Sequence, residues 1–229
     1  MNNEYEELIK SIRAKCQEQH WFGPDHMNPK QYDDILEYDP HFDIQSTQLV
    51  SPNDPNRFGF VFPPVSEEIL QATETALGFP LPSLLRAIYA RVANGGFGPG
   101  AGIPGTFGGY GKLGASIYQN GDDDTIVAQY HTWSKGNTIG LAEYVKHNAE
   151  QQKRINLKLP YGVWPAQLIP LCDMGCVQEA CVHSDGRMFH VAPIASNDVY
   201  WLYQMPWTFE EWLWRWVRGE RLMIRYATE

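Results

Sequence analysis

Three cysteines and a histidine in the C-terminal half are the residues best suited to bind a metal. Cys172, Cys176, Cys181 and His183 offer the thiolate and imidazole ligands of tetrahedral zinc sites. Their C-x3-C-x4-C-x-H spacing lacks the C-x2-C pair of common zinc sites, and strand alternation leaves residue 176 near a turn. Because cysteine is also among the most buried residue types, we interpret these residues as core packing and predict no metal site.

A run of three aspartates is the second candidate for metal binding. Carboxylate oxygens such as those of Asp122, Asp123 and Asp124 are the ligands that hard divalent cations prefer. The run follows Asn120 and Gly121, however, and that pair is typical of a turn. Acids in a turn are more often solvated than metal-bound, so we expect an exposed acidic turn here.

A glycine-rich segment, FGPGAGIPGTFGGYGKLG at 97–114, contains a pattern used by dinucleotide-binding loops. Gly100, Gly102 and Gly105 satisfy G-x-G-x-x-G. The segment follows a predicted helix instead of a strand, Pro104 removes one N–H donor, and no amphipathic helix begins directly after it. We therefore expect a packed surface loop without a nucleotide.

Nucleophilic catalysis has no recognisable motif in the chain. No G-x-S-x-G elbow occurs, and the seven histidines form no H-E-x-x-H set. We predict that the protein is not an enzyme and that it has no catalytic residue and no cofactor.

Two short helices joined by a proline pair are predicted between residues 62 and 96. Ser66 suits the N-cap of the first helix, and Gly78 suits a left-handed stop at its end. Pro82 suits the first position of the second helix, where a missing N–H removes no intrahelical bond. The Asn-Gly-Gly run at 94–96 tolerates the positive φ that ends a helix.

The segments on either side of this pair have distinct patterns. An apolar stripe predicts a first helix, which we expect to dock on the main domain; its residues are Tyr5, Leu8, Ile9, Ile12 and Cys16. In the C-terminal half, we predict an antiparallel sheet with strands at 168–172, 177–183, 188–191 and 199–203, the second and third joined by a turn at 184–187. We also expect a strand to open at Ile126 and Val127 and a helix to cover 139–152.

The last predicted helix begins with a capping box at Thr208 and Glu211 and stops at Gly219. Its apolar stripe consists of Phe209, Trp212, Leu213, Trp216 and Val217. Trp214 lies about 140° from Phe209 on a helical wheel. It is therefore either a second packing face against the N-terminal extension, which is the favoured interpretation, or an exposed anchor.

The runs S-E-E-I, L-G-F-P-L-P and N-G-G resemble the signature of the SUKH superfamily, which includes fungal cell-wall assembly regulators and bacterial immunity proteins. The resemblance covers about residues 58–219, with WPAQLIPLCDMGCVQEACV and TFEEWLWRWVRGE in the same order as in one bacterial subgroup. One departure is Leu85, where the family often has an aromatic residue. The signature residues, which we interpret as structural, are Ser66, Glu67, Leu77, Gly78, Pro80, Leu81, Pro82, Asn94, Gly95, Gly96 and Trp212.

The resemblance implies an α+β fold, in which a single, mostly antiparallel sheet packs against helices. We predict a SUKH-like domain over 58–229, preceded by a helical extension and linker over 1–57. Residues 1–60 contain 11 acidic and five basic residues, so they contribute -6 to the net charge of -9. This charge disfavours nucleic acid and anionic membrane as partners. The N-terminus has no signal-peptide pattern, so we expect a cytoplasmic protein, with a monomer favoured.

The resemblance also implies a non-enzymatic protein that binds and neutralises a cognate bacterial toxin. The acidic charge of the chain is consistent with a basic toxin such as a nuclease. The alternatives are a regulatory interaction module, as in the fungal relatives, and an unrecognised enzyme. We expect acidic residues of the N-terminal extension or of the Asp122 to Asp124 turn to steer a basic partner. Tyr110 and Trp214 are candidate anchors of the contact, because aromatic residues carry much of the energy of interfaces.

Overall fold

The computed structural model describes residues 5–18, 62–110, 125–142, 156–160, 163–174, 178–193 and 199–222. Within these residues the helices are α1 (Glu6–Glu18), α2 (Glu67–Leu77), α3 (Ser83–Arg91), α4 (Ile126–Ser134) and α5 (Phe209–Val217). The strands are β1 (Thr138–Ile139), β2 (Asn156–Pro160), β3 (Trp164–Pro165), β4 (Leu168–Asp173), β5 (Glu179–His183), β6 (Arg187–Pro193) and β7 (Val199–Thr208).

The strands form one large antiparallel sheet and one small parallel pair. The large sheet has five strands in the order β2-β7-β6-β5-β4, and every neighbouring pair is antiparallel. The short strands β1 and β3 pair in parallel. Helix α4 packs against β4, and α5 packs against β6 and β7. The predicted α+β class, with helices against a mostly antiparallel sheet, is confirmed.

The helix pair α2 and α3 has the predicted stop and start signals. Gly78 has a φ of 80°, and its N–H donates to Glu74 O to close α2. Pro82 lies at the N-cap of α3, one position before the predicted one. Arg86 of α3 pairs with Glu67 and, at 3.3 Å, with Glu74 of α2, so the two helices are joined across the proline turn.

One sequence prediction near residue 130 is wrong, and the start of another is displaced to residue 141. Ile126 and Val127 open helix α4 instead of a strand, because Thr125 caps it by accepting a hydrogen bond from Ala128 N at 3.5 Å. Ile139 lies in strand β1, so the helix predicted to begin there cannot start before the following residues. Residues 143–152 of that predicted helix lie outside the described residues.

Helix α1 is part of the hydrophobic core. Four of its side chains are at most 4% exposed and belong to the same buried cluster as α3 and the sheet; they are Leu8, Ile9, Ile12 and Cys16. Glu6 pairs with Arg91, and Arg13 donates to the backbone carbonyl of Arg91, which binds α1 to the end of α3. The predicted docking of this helix is observed, while the predicted domain boundary at 57 and 58 lies outside the described residues.

Candidate protein-interaction surface

Helix α5 has one face in the core and one face toward solvent. Thr208 Oγ1 accepts from Glu211 N at 3.2 Å, and Glu211 Oε2 accepts from Thr208 N at 2.8 Å, so the predicted capping box forms. The core face is fully buried, with Trp212 and Leu213 at 0% exposure. At 100° per residue, the opposite face carries Trp214, Arg215 and Arg218. The strand-to-helix junction therefore presents these three side chains on a rigid support.

Cationic groups lie over three tryptophan rings on or beside this helix. Arg215 lies 4.3 Å from the centre of the Trp207 ring, and Arg218 lies 5.3 Å from that of Trp214. Lys15 of α1 lies 5.3 Å from the Trp216 ring. Significant cation-π pairs occur roughly once per 70–80 residues, so three pairs within one short helix and its flanks are a local concentration. We call Trp207, Trp214, Arg215 and Arg218 the tryptophan-arginine surface.

The two arginines of this surface lie beside a carboxylate. Glu220 accepts from Arg215 at 3.0 Å and lies 3.8 Å from Arg218. Arg215 Nε also donates to the backbone oxygen of Arg221 at 3.1 Å. Glu220 thus lies beside both arginines, and the first turn of the same helix carries two further exposed carboxylates, those of Glu210 and Glu211. The Arg218 side chain is 61% exposed, so its charge faces solvent.

The structure distributes the predicted anchor residues differently from the sequence-based expectation. Tyr110 is only 3% exposed; its hydroxyl donates to Ala101 O at 3.0 Å, and its ring packs 5.9 Å from that of Phe62. It therefore supports its own loop and offers little surface to a partner. Trp214 is half-buried at the edge of the core, so it both packs and remains accessible. Asp122, Asp123 and Asp124 lie outside the described residues.

Sequence reasoning did not find Trp207, Arg215 or Arg218. The helical wheel places Arg215 and Arg218 beside Trp214, which is a signal that was available in the sequence. Trp207, however, lies in β7, and its contact with Arg215 depends on how the strand turns into the helix.

The described part of the glycine-rich segment, residues 97–110, forms a largely buried structural loop. It is packed as predicted, but residues 102–106 are buried instead of lying on the surface. Asn94 Oδ1 accepts from Thr106 N at 2.7 Å and from its hydroxyl at 2.9 Å. The backbone N–H groups of Gly96 and Gly105 donate within the loop, and that of Ala101 donates to Asp173 O. Because these donors already have partners, they do not form a cradle for phosphate.

The strand register separates two of the candidate zinc ligands. Cys172 lies opposite Ala180, while Cys181 is the next residue of β5 and points to the other face of the sheet. Cys172 Sγ donates to Pro99 O at 2.7 Å, and both cysteines are fully buried. Cys176 lies outside the described residues, so the absence of zinc stays a prediction.

A cleft of about 350 Å³ lies where α3 and α5 begin beside the β5–β6 turn. Its carboxylates are those of Asp185 and Glu210. Burial opposes ionisation of Asp185, but hydrogen bonds from Arg187 and His183 outweigh it and lower the pKa of Asp185 to about 2. Asp185 is thus an ion-paired turn residue, which stabilises the hairpin.

The chain matches a protein-family model but no individual curated protein or solved structure. No helix among the described residues is long and apolar enough to cross a membrane. The model of the SMI1 / KNR4 family (SUKH-1) matches residues 64–215, which is more than half of the 229 residues. The chain belongs to the SMI1/KNR4 family, SUKH-1.

Proposed function

We propose that this protein is an immunity protein that binds a cognate bacterial toxin in the cytoplasm and neutralises it without catalysis. Family membership supports a protein-interaction or immunity-type role in general. The observation that carries the proposal is the tryptophan-arginine surface. Tryptophan and arginine are the residue types most enriched at the energetic centres of protein interfaces, and here they lie on a helix anchored in the core.

The surface has the features expected of a contact region. Trp207 and Trp214 are each half-buried, so their rings are held in place while part of each remains open. A side chain that is already ordered loses less conformational entropy when a partner binds. These features support protein binding as the function.

Acidic residues would add long-range steering to this contact. The negative net charge and the Asp122 to Asp124 run would attract a basic toxin and raise the association rate, an effect that depends on salt. The tight contact would depend on buried aromatic groups. In this proposal, the acidic residues speed the approach of the toxin, and the exposed face of α5 then makes the tight contact.

The test is neutralisation of a toxin encoded beside this gene. The toxin is expressed in a bacterial host alone, with the wild-type protein, and with a Trp212→Ala variant that serves as a destabilised control. We expect the wild-type chain to restore growth and to co-purify with the toxin. Failure of the wild-type chain to bind the neighbouring toxin would refute the immunity role and favour the regulatory interaction module.

A further inference from the structure

We infer that the solvent side of α5 associates weakly with the same face of a second copy of this chain, in antiparallel orientation. The inference goes beyond the proposed function, because this contact requires no toxin, and it departs from the monomer expected from the sequence. It begins with three residues spaced four apart along α5 and its C-cap, which are Glu210, Trp214 and Arg218. We call these three residues the α5 stripe.

The opposite charges at the two ends of the α5 stripe are incompletely satisfied in one copy. Glu210 is exposed, and its carboxylate has no ion-pair or hydrogen-bond partner within the part of the chain that the structure describes. Arg218 is 61% exposed, and the carboxylate beside it, that of Glu220, is 3.8 Å away. Glu210 and Arg218 are eight residues apart, about 12 Å along the helix. They therefore cannot bond to each other within one copy.

The other charged groups at this face already have partners in their own copy. Glu211 closes the capping box of α5. Arg215 donates to Glu220 at 3.0 Å and to the backbone oxygen of Arg221 at 3.1 Å. Residues 210–221 contain three glutamates and three arginines, so the segment carries no net charge. Two copies can thus meet at this face without net local repulsion.

An antiparallel second copy joins the two unmatched charges. In a two-fold contact the same surface of both copies meets, and each contact occurs twice. With Trp214 beside the axis, Glu210 of each copy lies opposite Arg218 of the other, because both are four residues, about 6 Å, from residue 214. Arg218 can donate parallel N–H bonds to that carboxylate while its guanidinium stays over the Trp214 ring, at 5.3 Å. A parallel arrangement would bring like charges together, so the α5 stripe selects the antiparallel one.

Trp214 supplies the apolar centre of the contact. Its side chain is half-buried beside the core, so the ring is held in place while part of it stays open. The half-buried Val217 extends the apolar area next to it. A tryptophan at the centre of an interface, with polar residues around it, is typical of an energetic hot spot. The α5 stripe has this order, with charges at both ends and an aromatic ring between them.

The contact is small, so the association is weak. A helix of nine residues is about 14 Å long, and two such helices bury less than the roughly 1,000 Å² expected of a stable interface. The charge of -9 on each copy adds repulsion, which salt screens. We therefore expect a dissociation constant on the order of 0.1–1 mM. A toxin that binds the same face more tightly would displace the second copy.

The test is sedimentation velocity of the full-length protein at concentrations up to about 1 mM, with charge-reversed variants whose folding is checked by circular dichroism. Glu210→Arg places two arginines opposite each other at both ends of the contact, and Arg218→Glu places two glutamates there. Because two-fold symmetry doubles each change, we expect either variant to weaken self-association by at least about tenfold. Lys10→Glu changes the net charge equally at a site that is also 61% exposed, and it should weaken self-association less than about twofold.

Combining the two defective variants tests the geometry directly. In a mixed dimer of Glu210→Arg and Arg218→Glu chains, both ends of the contact join opposite charges again. The Glu210→Arg chain is labelled with ¹⁵N, and its Trp214 indole signal, assigned by a Trp214→Phe substitution, is followed by NMR. Unlabelled Arg218→Glu chain should shift this signal saturably, with an affinity within about threefold of wild-type self-association. Unlabelled Lys10→Glu chain, which has the same net charge, should bind several-fold more weakly.

Three outcomes would overturn the inference. They are sedimentation as a monomer throughout the concentration range, equal weakening by Arg218→Glu and Lys10→Glu, and an equal response of the labelled chain to both unlabelled variants. The neutralisation assay separates this inference from the proposed function. A wild-type chain that neutralises its toxin and stays monomeric would refute the association and leave the function standing. A chain that associates as expected and neutralises no neighbouring toxin would refute the function alone.

Discussion

Two regions of this molecule satisfy the charges of their arginines in opposite ways. Between α2 and α3, Arg86 contacts both Glu67 and Glu74, and Glu74 also accepts from Leu81 N at 3.0 Å. The hydrogen bond to Glu67 raises the pKa of Arg86 above its usual value. At the end of α5, by contrast, Arg215 and Arg218 share one glutamate and lie against tryptophan rings.

The difference separates residues that maintain the fold from residues available for binding. The charges that join α2 to α3 are satisfied within the pair, because Arg86 contacts Glu67 and Glu74, and Glu74 also accepts from Leu81 N. The α5 end keeps hydrogen-bonding capacity and aromatic surface at the solvent side. Most signature residues lie in the α2–α3 pair or directly after it, and Trp212 lies on the core face of α5. The matched family range ends within α5, before Arg218 and Glu220. Each prediction below tests this division, from the largest expected effect to the smallest.

Removing a large core side chain should have the greatest effect. Trp212 is 0% exposed and Leu77 is 5% exposed. Trp212→Ala or Leu77→Ala should lower the free energy of unfolding by roughly 2–5 kcal/mol, because each opens a cavity. The measurement is urea unfolding followed by circular dichroism. Trp214→Ala is the control, and a loss as large as that for Trp212→Ala would show that Trp214 is chiefly a core residue.

Gly95 and Gly78 provide a matched pair of substitutions, because they have similar φ values but different surroundings. A Cβ on Gly95, at a φ of 76°, would lie 2.5 Å from Gly105 N and 2.6 Å from Ile103 O. Gly78 has a similar φ of 80°, but a Cβ there meets nothing within 4 Å. We expect Gly95→Ala to cost roughly 2–4 kcal/mol and Gly78→Ala only about 1 kcal/mol. Equal melting temperatures for the two variants would mean that the loop relaxes around the added methyl group.

Local sequence signals predicted the elements of the structural region well. Capping residues such as Ser66 and Thr208, and the stop at Gly78, correspond to the observed helix ends. The prediction failed at Ile126, because a short β-branched run suits a strand or a buried helix equally and Thr125 decides between them. Helices and strands were therefore predictable where the sequence contained both a capping residue and a clear hydrophobic period.

The binding region was less predictable, because its contacts join separate elements. Lys15 approaches Trp216 from α1, and Trp207 approaches Arg215 from β7. The burial of Tyr110 likewise depends on the fold of a loop around Asn94, which no periodicity indicates. Sequence patterns report neighbours along one element, whereas this surface depends on the packing of three.

Neutralising a carboxylate in each region should affect stability differently. Glu74→Gln removes a partner of Arg86 and weakens the acceptor of Leu81 N, so we expect a loss of about 1 kcal/mol in unfolding free energy. The matched Glu220→Gln variant should lose less than about 0.5 kcal/mol, because an exposed ion pair contributes little. Chemical denaturation of both variants provides the measurement. A larger loss for Glu220→Gln would place the α5 end among the structural regions.

Binding kinetics can separate the role of the predicted acidic turn from that of the α5 surface. Replacing Asp122, Asp123 and Asp124 with asparagine should slow association with the neighbouring toxin by a few-fold at low salt and reduce its salt dependence, because steering acts on the association rate. Surface plasmon resonance at two salt concentrations measures this. Arg218→Gln should instead act mainly on the dissociation rate. An unchanged association rate and salt dependence in the folded triple variant would exclude the turn from recognition.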